Sequence, residues 1–192
     1  MPRKIFAFIF FLQPLLSAAQ ADFGIKAGGN AYIISSSLPS TYTFHWQAGF
    51  FSKANINDKF ALQPELLYTI KGSHVTLNNT TINIKLNYVE LPLVASYKFY
   101  KKMFAEAGFD ISYLAKVQKT NSTDTLLKPS AFSPFSFGLL FGTGIELKSF
   151  DITLRYDLGL TKLILESDPA NENNPLVNSH NRGFQISIGF VL

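Results

Sequence analysis

Eight segments with apolar residues at every second position, connections that are short and long by turns, and polar faces made largely of Gly, Ser and Thr predict an all-β chain. The architecture they predict is an eight-stranded antiparallel up-and-down transmembrane β-barrel. Composition agrees. An apolar fraction of 47% with 16% charged residues excludes a disordered chain, and 192 residues suffice for one domain with its own core. Cysteine is absent, which removes disulfide frameworks, thiolate metal sites, cysteine nucleophiles and a lipid-anchored N-terminus. The formal charge of +4 is mild and Lys and Arg are not clustered, so no nucleic acid is expected as a partner.

The chain opens with the pattern of an export signal. Arg3 and Lys4 are basic, Ile5 to Leu16 is apolar apart from Gln13 and Pro14, and Ser17-Ala18-Ala19 supplies the small residues a signal peptidase reads. The apolar stretch is well short of the ~20 residues a membrane-crossing helix needs. Residues 1–19 are therefore expected to be a signal peptide, cut after Ala19 or after Ala21, and residues 20–192 the barrel domain.

The strands follow in order. In the first, Phe23, Ile25, Ala27, Ala31 and Ile33 alternate with Gly24, Lys26, Gly28 and Asn30. The second sets Phe44, Trp46, Ala48 and Phe50 against His45, Gln47 and Lys53, and the third sets Leu62, Leu66, Tyr68 and Ile70 against Gln63, Glu65, Thr69 and Lys71. A fourth runs from Ile82 to Phe99, and its apolar parity switches between Tyr88 and Val89, which predicts a β-bulge there. The fifth has Ala105, Ala107, Phe109, Ile111 and Tyr113 opposite Glu106, Asp110 and Ser112. In the sixth, Phe137, Leu139, Phe141 and Ile145 oppose Gly138, Gly142, Gly144 and Glu146. The uncharged run around it, Ser130 to Ile145, contains Pro134 and three glycines and reads as strand rather than membrane helix. The seventh sets Ile152, Leu154, Tyr156 and Leu158 against Asp151, Thr153, Arg155 and Asp157, and the eighth sets Phe184, Ile186, Ile188 and Phe190 against Gln185, Ser187 and Gly189.

Residues 56–59, 100–102 and 148–150 read as tight turns, whereas 34–42, 72–81, 118–133 and 162–181 read as long connections rich in Ser, Thr, Asn and Pro. Short periplasmic turns and long extracellular loops alternate in this way in outer-membrane barrels. A soluble barrel with its apolar face inward would show the same period. The membrane reading is favoured by polar faces carrying few charges per strand and by aromatics near strand ends. Those are Phe23, Phe60, Phe99, Phe104 and Phe150 toward the turns and Trp46, Tyr68, Tyr113 and Phe184 toward the long loops, as in interfacial girdles.

A family resemblance covers essentially all of residues 20–192. Gly24-Ile25-Lys26-Ala27-Gly28-Gly29-Asn30, Leu62-Gln63-Pro64-Glu65-Leu66-Leu67-Tyr68 and Leu86-Asn87-Tyr88-Val89-Glu90-Leu91-Pro92-Leu93 resemble the outer-membrane β-barrel family labelled porin-family or PorT-like proteins. Gly142-Thr143-Gly144-Ile145-Glu146, Arg155-Tyr156-Asp157-Leu158-Gly159-Leu160 and Ile186-Ser187-Ile188-Gly189-Phe190 resemble its later strands. The resemblance implies an architecture similar to OmpA and OmpX and residence in the outer membrane of a Gram-negative bacterium.

Chemistry is sparse. The histidines are His45, His74 and His180, and none has a serine two residues away, so no catalytic residue, cofactor or metal site is expected. Lone acidic residues such as Asp168 and Glu172 in the last long connection read as solvated. The inward face carries more information. Lys26, Glu65, Glu90, Glu106, Asp110, Glu146, Arg155 and Asp157 share it, and an eight-stranded barrel has room inside only for its own side chains. Unpaired charges there are very costly, so they are expected to pair and fill the lumen. Arg155, with five donors in a planar fork, is expected to hold Glu65, Glu106 or Glu90. The function expected is a small structural or interaction barrel in contact with outer-membrane lipid, reaching any protein partner through its long loops. The alternatives are a narrow porin for ions or small solutes, or an outer-membrane component assisting protein secretion.

Overall fold

The computed structural model describes residues 21–36, 38–77, 80–120, 132–164 and 178–192. The expected signal over 1–19 and the residues Asp168 and Glu172 lie outside them. Eight strands form: β1 (Ala21–Ser35), β2 (Ser40–Asn55), β3 (Phe60–Leu77), β4 (Thr80–Tyr100), β5 (Met103–Thr120), β6 (Phe135–Glu146), β7 (Phe150–Gly159) and β8 (His180–Val191). Each pairs antiparallel with the next and β8 pairs back onto β1, so the sheet is a closed barrel with no free edge. The strands are staggered as well as closed. Phe23 pairs with Ser52, and one ladder continues from Pro64 through Leu93, Phe109, Leu139, Leu158 and Arg182 to Ile33, well up β1 from Phe23. Such stagger is what tilts the strands of a small barrel.

The turns at one end have local causes. Asn57 accepts the Lys59 and Phe60 amides on its side-chain oxygen at 2.9 and 2.8 Å, an Asx turn that reverses the chain between β2 and β3. Lys101 takes a left-handed φ of 43° in the two-residue link from β4 to β5.

Exposure decides which face meets lipid. Along β8, Phe184, Ile186, Ile188 and Phe190 are exposed while Asn181, Gln185 and Ser187 are buried, and β7 repeats this with Ile152 and Leu154 out and Asp151, Thr153, Arg155 and Asp157 in. Apolar-out, polar-in strands belong in a membrane. The aromatics pair across strands at both rims: Phe60–Tyr97 at 4.8 Å toward the turns, and Tyr113–Phe135 at 5.4 Å and Tyr156–Phe184 at 5.0 Å toward the other end.

Three expectations change. Phe104, expected among the girdle aromatics, is buried on the lumen side with the Lys53 ammonium over its ring. The stretches 34–42 and 72–81 are mostly strand, since β1 runs to Ser35, β2 starts at Ser40, and β3 reaches Leu77 with β4 resuming at Thr80. The parity switch in β4 also has another cause. Ile82, Ile84, Leu86, Tyr88, Glu90 and Val94 all face inward, so β4 keeps its faces throughout. The sheet does lose register at Asn87/Tyr88, but the extra residue is Ala115 on β5, between the partners Lys116 and Leu114. The apolar side moves from inside to outside at Val89 because the surroundings change. On the turn side of it the outward residues are apolar, such as Val89 and Leu91, as lipid demands; beyond it they are Lys85 and Asn83, which suit water, and the apolar residues turn inward instead.

Candidate functional site

The lumen is where the barrel's polar chemistry collects, and it is built in layers. In the layer nearer the turns, Arg155 of β7 meets Glu65 of β3 on the opposite wall through two contacts of 3.1 Å and donates Nε–H to Glu106 of β5 at 2.7 Å. Lys26 of β1 holds Glu65 at 2.6 Å, and the Gln63 amide donates to the same carboxylate at 2.7 Å. Arg155, Glu65 and Lys26 are almost fully buried, and each of them, like Glu106, has an opposite charge in contact. Burial of ions on these terms is tolerable, because the pairs and hydrogen bonds replace the lost hydration. Gly142 on β6 makes room for it, since a Cβ there would stand 2.7 Å from Glu106 Oε1.

A second layer lies toward the other end. Lys71 of β3 bridges Glu90 of β4 at 2.6 Å and Asp157 of β7 at 2.7 Å, with its ammonium 5.0 Å from the Tyr32 ring and 5.5 Å from the Tyr88 ring. The Tyr32 hydroxyl donates to Asp157 Oδ2 at 2.6 Å and accepts from the Gln185 amide at 2.6 Å. Thr69 donates to Glu90 at 2.8 Å, and Ser112 Oγ lies 2.5 Å from Asp110 Oδ2. At the turn end, Glu146 is held by Lys53 and by Lys98, the latter at 2.7 Å.

Above both layers lies an apolar cluster. Ile34, Val75, Ile82, Ile84, Leu86 and Tyr88 project inward from the extended strands, and Phe132, Leu163 and Ile164 join them from the segments flanking β6 and β7. The Ser133 amide donates to the Leu163 carbonyl at 2.9 Å, and Phe132 bridges to Ile164, which fixes those two segments side by side over the mouth.

Of the residues singled out by sequence, Lys26, Glu65, Glu106 and Arg155 come together, whereas Glu90 and Asp110 sit in the other layer with Asp157. Glu90 pairs across the sheet with Leu67, two residues along β3 from the inward Glu65, and its cation is Lys71 rather than Arg155. Sequence reasoning misses Lys71 and Tyr32 as members of the lumen network. Lys71 has the parity of Glu65 on β3, which is the signal the sequence offers, but it borders a stretch that reads as a loop. The histidines lie apart from one another in role: His45 faces Gly72, His74 is exposed, and His180 Nδ1 meets the Thr161 carbonyl at 3.1 Å.

Comparisons with known proteins agree with this geometry. The family model described as outer membrane protein beta-barrel domain matches residues 13–165. The structure is similar to that of Neisserial surface protein A, with 15% identity and a TM-score of 0.57 over 90% of this chain and 99% of that one. It is also similar to Ail, the attachment invasion locus protein of Yersinia pestis, with 9% identity and a TM-score of 0.50 over 90% and 99% of the two chains. No curated protein matches by sequence. At such identities the two structures speak for the fold alone, while the family model spans most of the chain. The chain thus belongs to the outer membrane protein β-barrel domain family and is an integral protein of the Gram-negative outer membrane.

Proposed function

We propose that this protein is a structural or interaction barrel with a closed lumen, exported by its first 19 residues, that meets a protein partner through its extracellular connections and has no catalytic role. One observation carries the reading: ion pairs join opposite walls of the lumen, Arg155 to Glu65 and Lys71 to Asp157, beneath an apolar cluster at the mouth. A diffusing solute would have to break both layers and the cluster. The experiment is conductance of the purified protein in planar bilayers, where the expected result is no steady current above that of the bare bilayer. Stable unit steps would replace this reading with that of a narrow porin for ions or small solutes. Pull-down from native outer membranes tests the interaction half and would recover secretion components if the protein assists secretion. N-terminal sequencing of the membrane-extracted protein should begin at Gln20 or Asp22, and a start at Met1 would remove the export signal from the reading.

A further inference from the structure

The upper lumen layer holds more negative charge than its lysine balances. Glu90, Asp110 and Asp157 are each almost fully buried, and one carboxylate oxygen from each lies within 4.8 Å of the others. Among the described residues, the one cation in ion-pair contact with them is Lys71, which touches Glu90 and Asp157. Three carboxylates against one ammonium leave two negative charges, a burden a low-dielectric interior does not bear unaided.

The donors within reach are used on other oxygens. Asp157 Oδ2 takes Lys71 and the Tyr32 hydroxyl, the Glu90 oxygens take Lys71 and Thr69, and Asp110 Oδ2 takes Ser112. Asp110 Oδ1 and Asp157 Oδ1 remain, both buried and both without a hydrogen-bond partner. They converge on one place, the bare face of Gly138 on β6. A Cβ built there would overlap Asp110 Oδ1 and stand 2.9 Å from Asp157 Oδ1. Two orphaned carboxylate oxygens thus crowd one place on the wall, in space that is theirs only because residue 138 has no side chain.

We propose that Asp110 and Asp157, with Glu90 beside them, form a lumen site for one hard divalent cation of the calcium type. The donors are all oxygen, which suits calcium or magnesium rather than softer metals, and calcium tolerates an irregular set better. A dication also matches the two uncompensated charges. Because the site is buried, the ion enters as the barrel folds.

The test uses the full chain refolded into detergent micelles, with terbium as a calcium substitute whose emission the neighbouring Tyr32 and Tyr88 rings sensitise. Expected are one saturable terbium site per chain, displacement of that emission by calcium, and at least tenfold weaker terbium binding by Asp110→Asn. Gly138→Ala should weaken it likewise by pushing both carboxylate oxygens aside. The unmodified chain supplies a variant-free measurement: thermal unfolding should occur at higher temperature after refolding in calcium than after refolding in chelator. Absent emission, emission unchanged in Asp110→Asn, or equal unfolding temperatures in calcium and chelator would each overturn the proposal. So would an Asp110→Asn chain that is more stable than the parent and indifferent to calcium, since the two oxygens would then share a proton.

Discussion

Arg155 and Glu65 face each other across the barrel from β7 and β3, four strands apart in the ring, joined by two contacts of 3.1 Å. Neighbouring strands are already held by their backbone ladders. A bond between opposite walls acts on something the ladders do not, the roundness of the cross-section, and it spans the lumen at that level.

Arg155→Ala should destabilise the folded barrel by roughly 3–5 kcal/mol, because Glu106 loses its cation and Glu65 keeps only Lys26. Arg155→Lys should fall between the two, since an ammonium cannot reproduce the planar fork. Urea unfolding in detergent, followed by Trp46 fluorescence or heat-modifiable gel mobility, measures both. Equal stability of Arg155→Ala and the parent would show that the network contributes nothing.

The apolar mouth should behave as a core. Ile84 is fully buried inside the barrel and Ile152 faces outward. Ile84→Ala is expected to cost about 2–5 kcal/mol by loss of transfer energy and creation of a cavity. Ile152→Ala, whose neighbour is mobile lipid or detergent that refills the space, should cost about 1 kcal/mol or less. The same unfolding assay compares them, and the order of the two is the decisive outcome.

Depth in the bilayer can be read with charge. Leu154 lies outward near the middle of β7, while Phe190 lies outward beside Phe150 at the turn end. Leu154→Arg should therefore cost about 2–4 kcal/mol and Phe190→Arg about 0–1 kcal/mol. Equal costs on reconstitution in bilayers of ordinary thickness would displace the membrane band from its inferred level.

The chain's lack of cysteine permits a direct test of orientation. Asn178 and Asp58 are both exposed, at opposite ends of the barrel. A membrane-impermeant maleimide applied to intact cells should label Asn178→Cys and leave Asp58→Cys unlabelled until the outer membrane is opened. The reverse pattern would invert the barrel.

Much of this architecture is legible in the amino-acid sequence. Strand number and the inward or outward sense of each residue follow from period two, a local property of extended chain, so parity alone places Arg155, Glu65, Glu106 and Lys26 inside. Turn chemistry is equally local, as at Asn57. The extent of the strands is not. Residues 72–77, with their Ser and His, read as loop, yet they pair with β4 because Val75 joins Ile82, Ile84 and Leu86 under the mouth. Period shows that two faces differ and leaves open whether water or lipid lies beyond the outer one, so the switch at Val89 reads as a bulge in β4 until the surroundings of each level are known. Partners across the lumen are decided only by the tertiary structure. Which inward residues share a level depends on the stagger accumulated around the closed ring, a sum over all eight pairings that no single strand encodes. That sum places Glu90 with Lys71 instead of Arg155, and brings Asp110 and Asp157 from β5 and β7 to the two sides of Gly138.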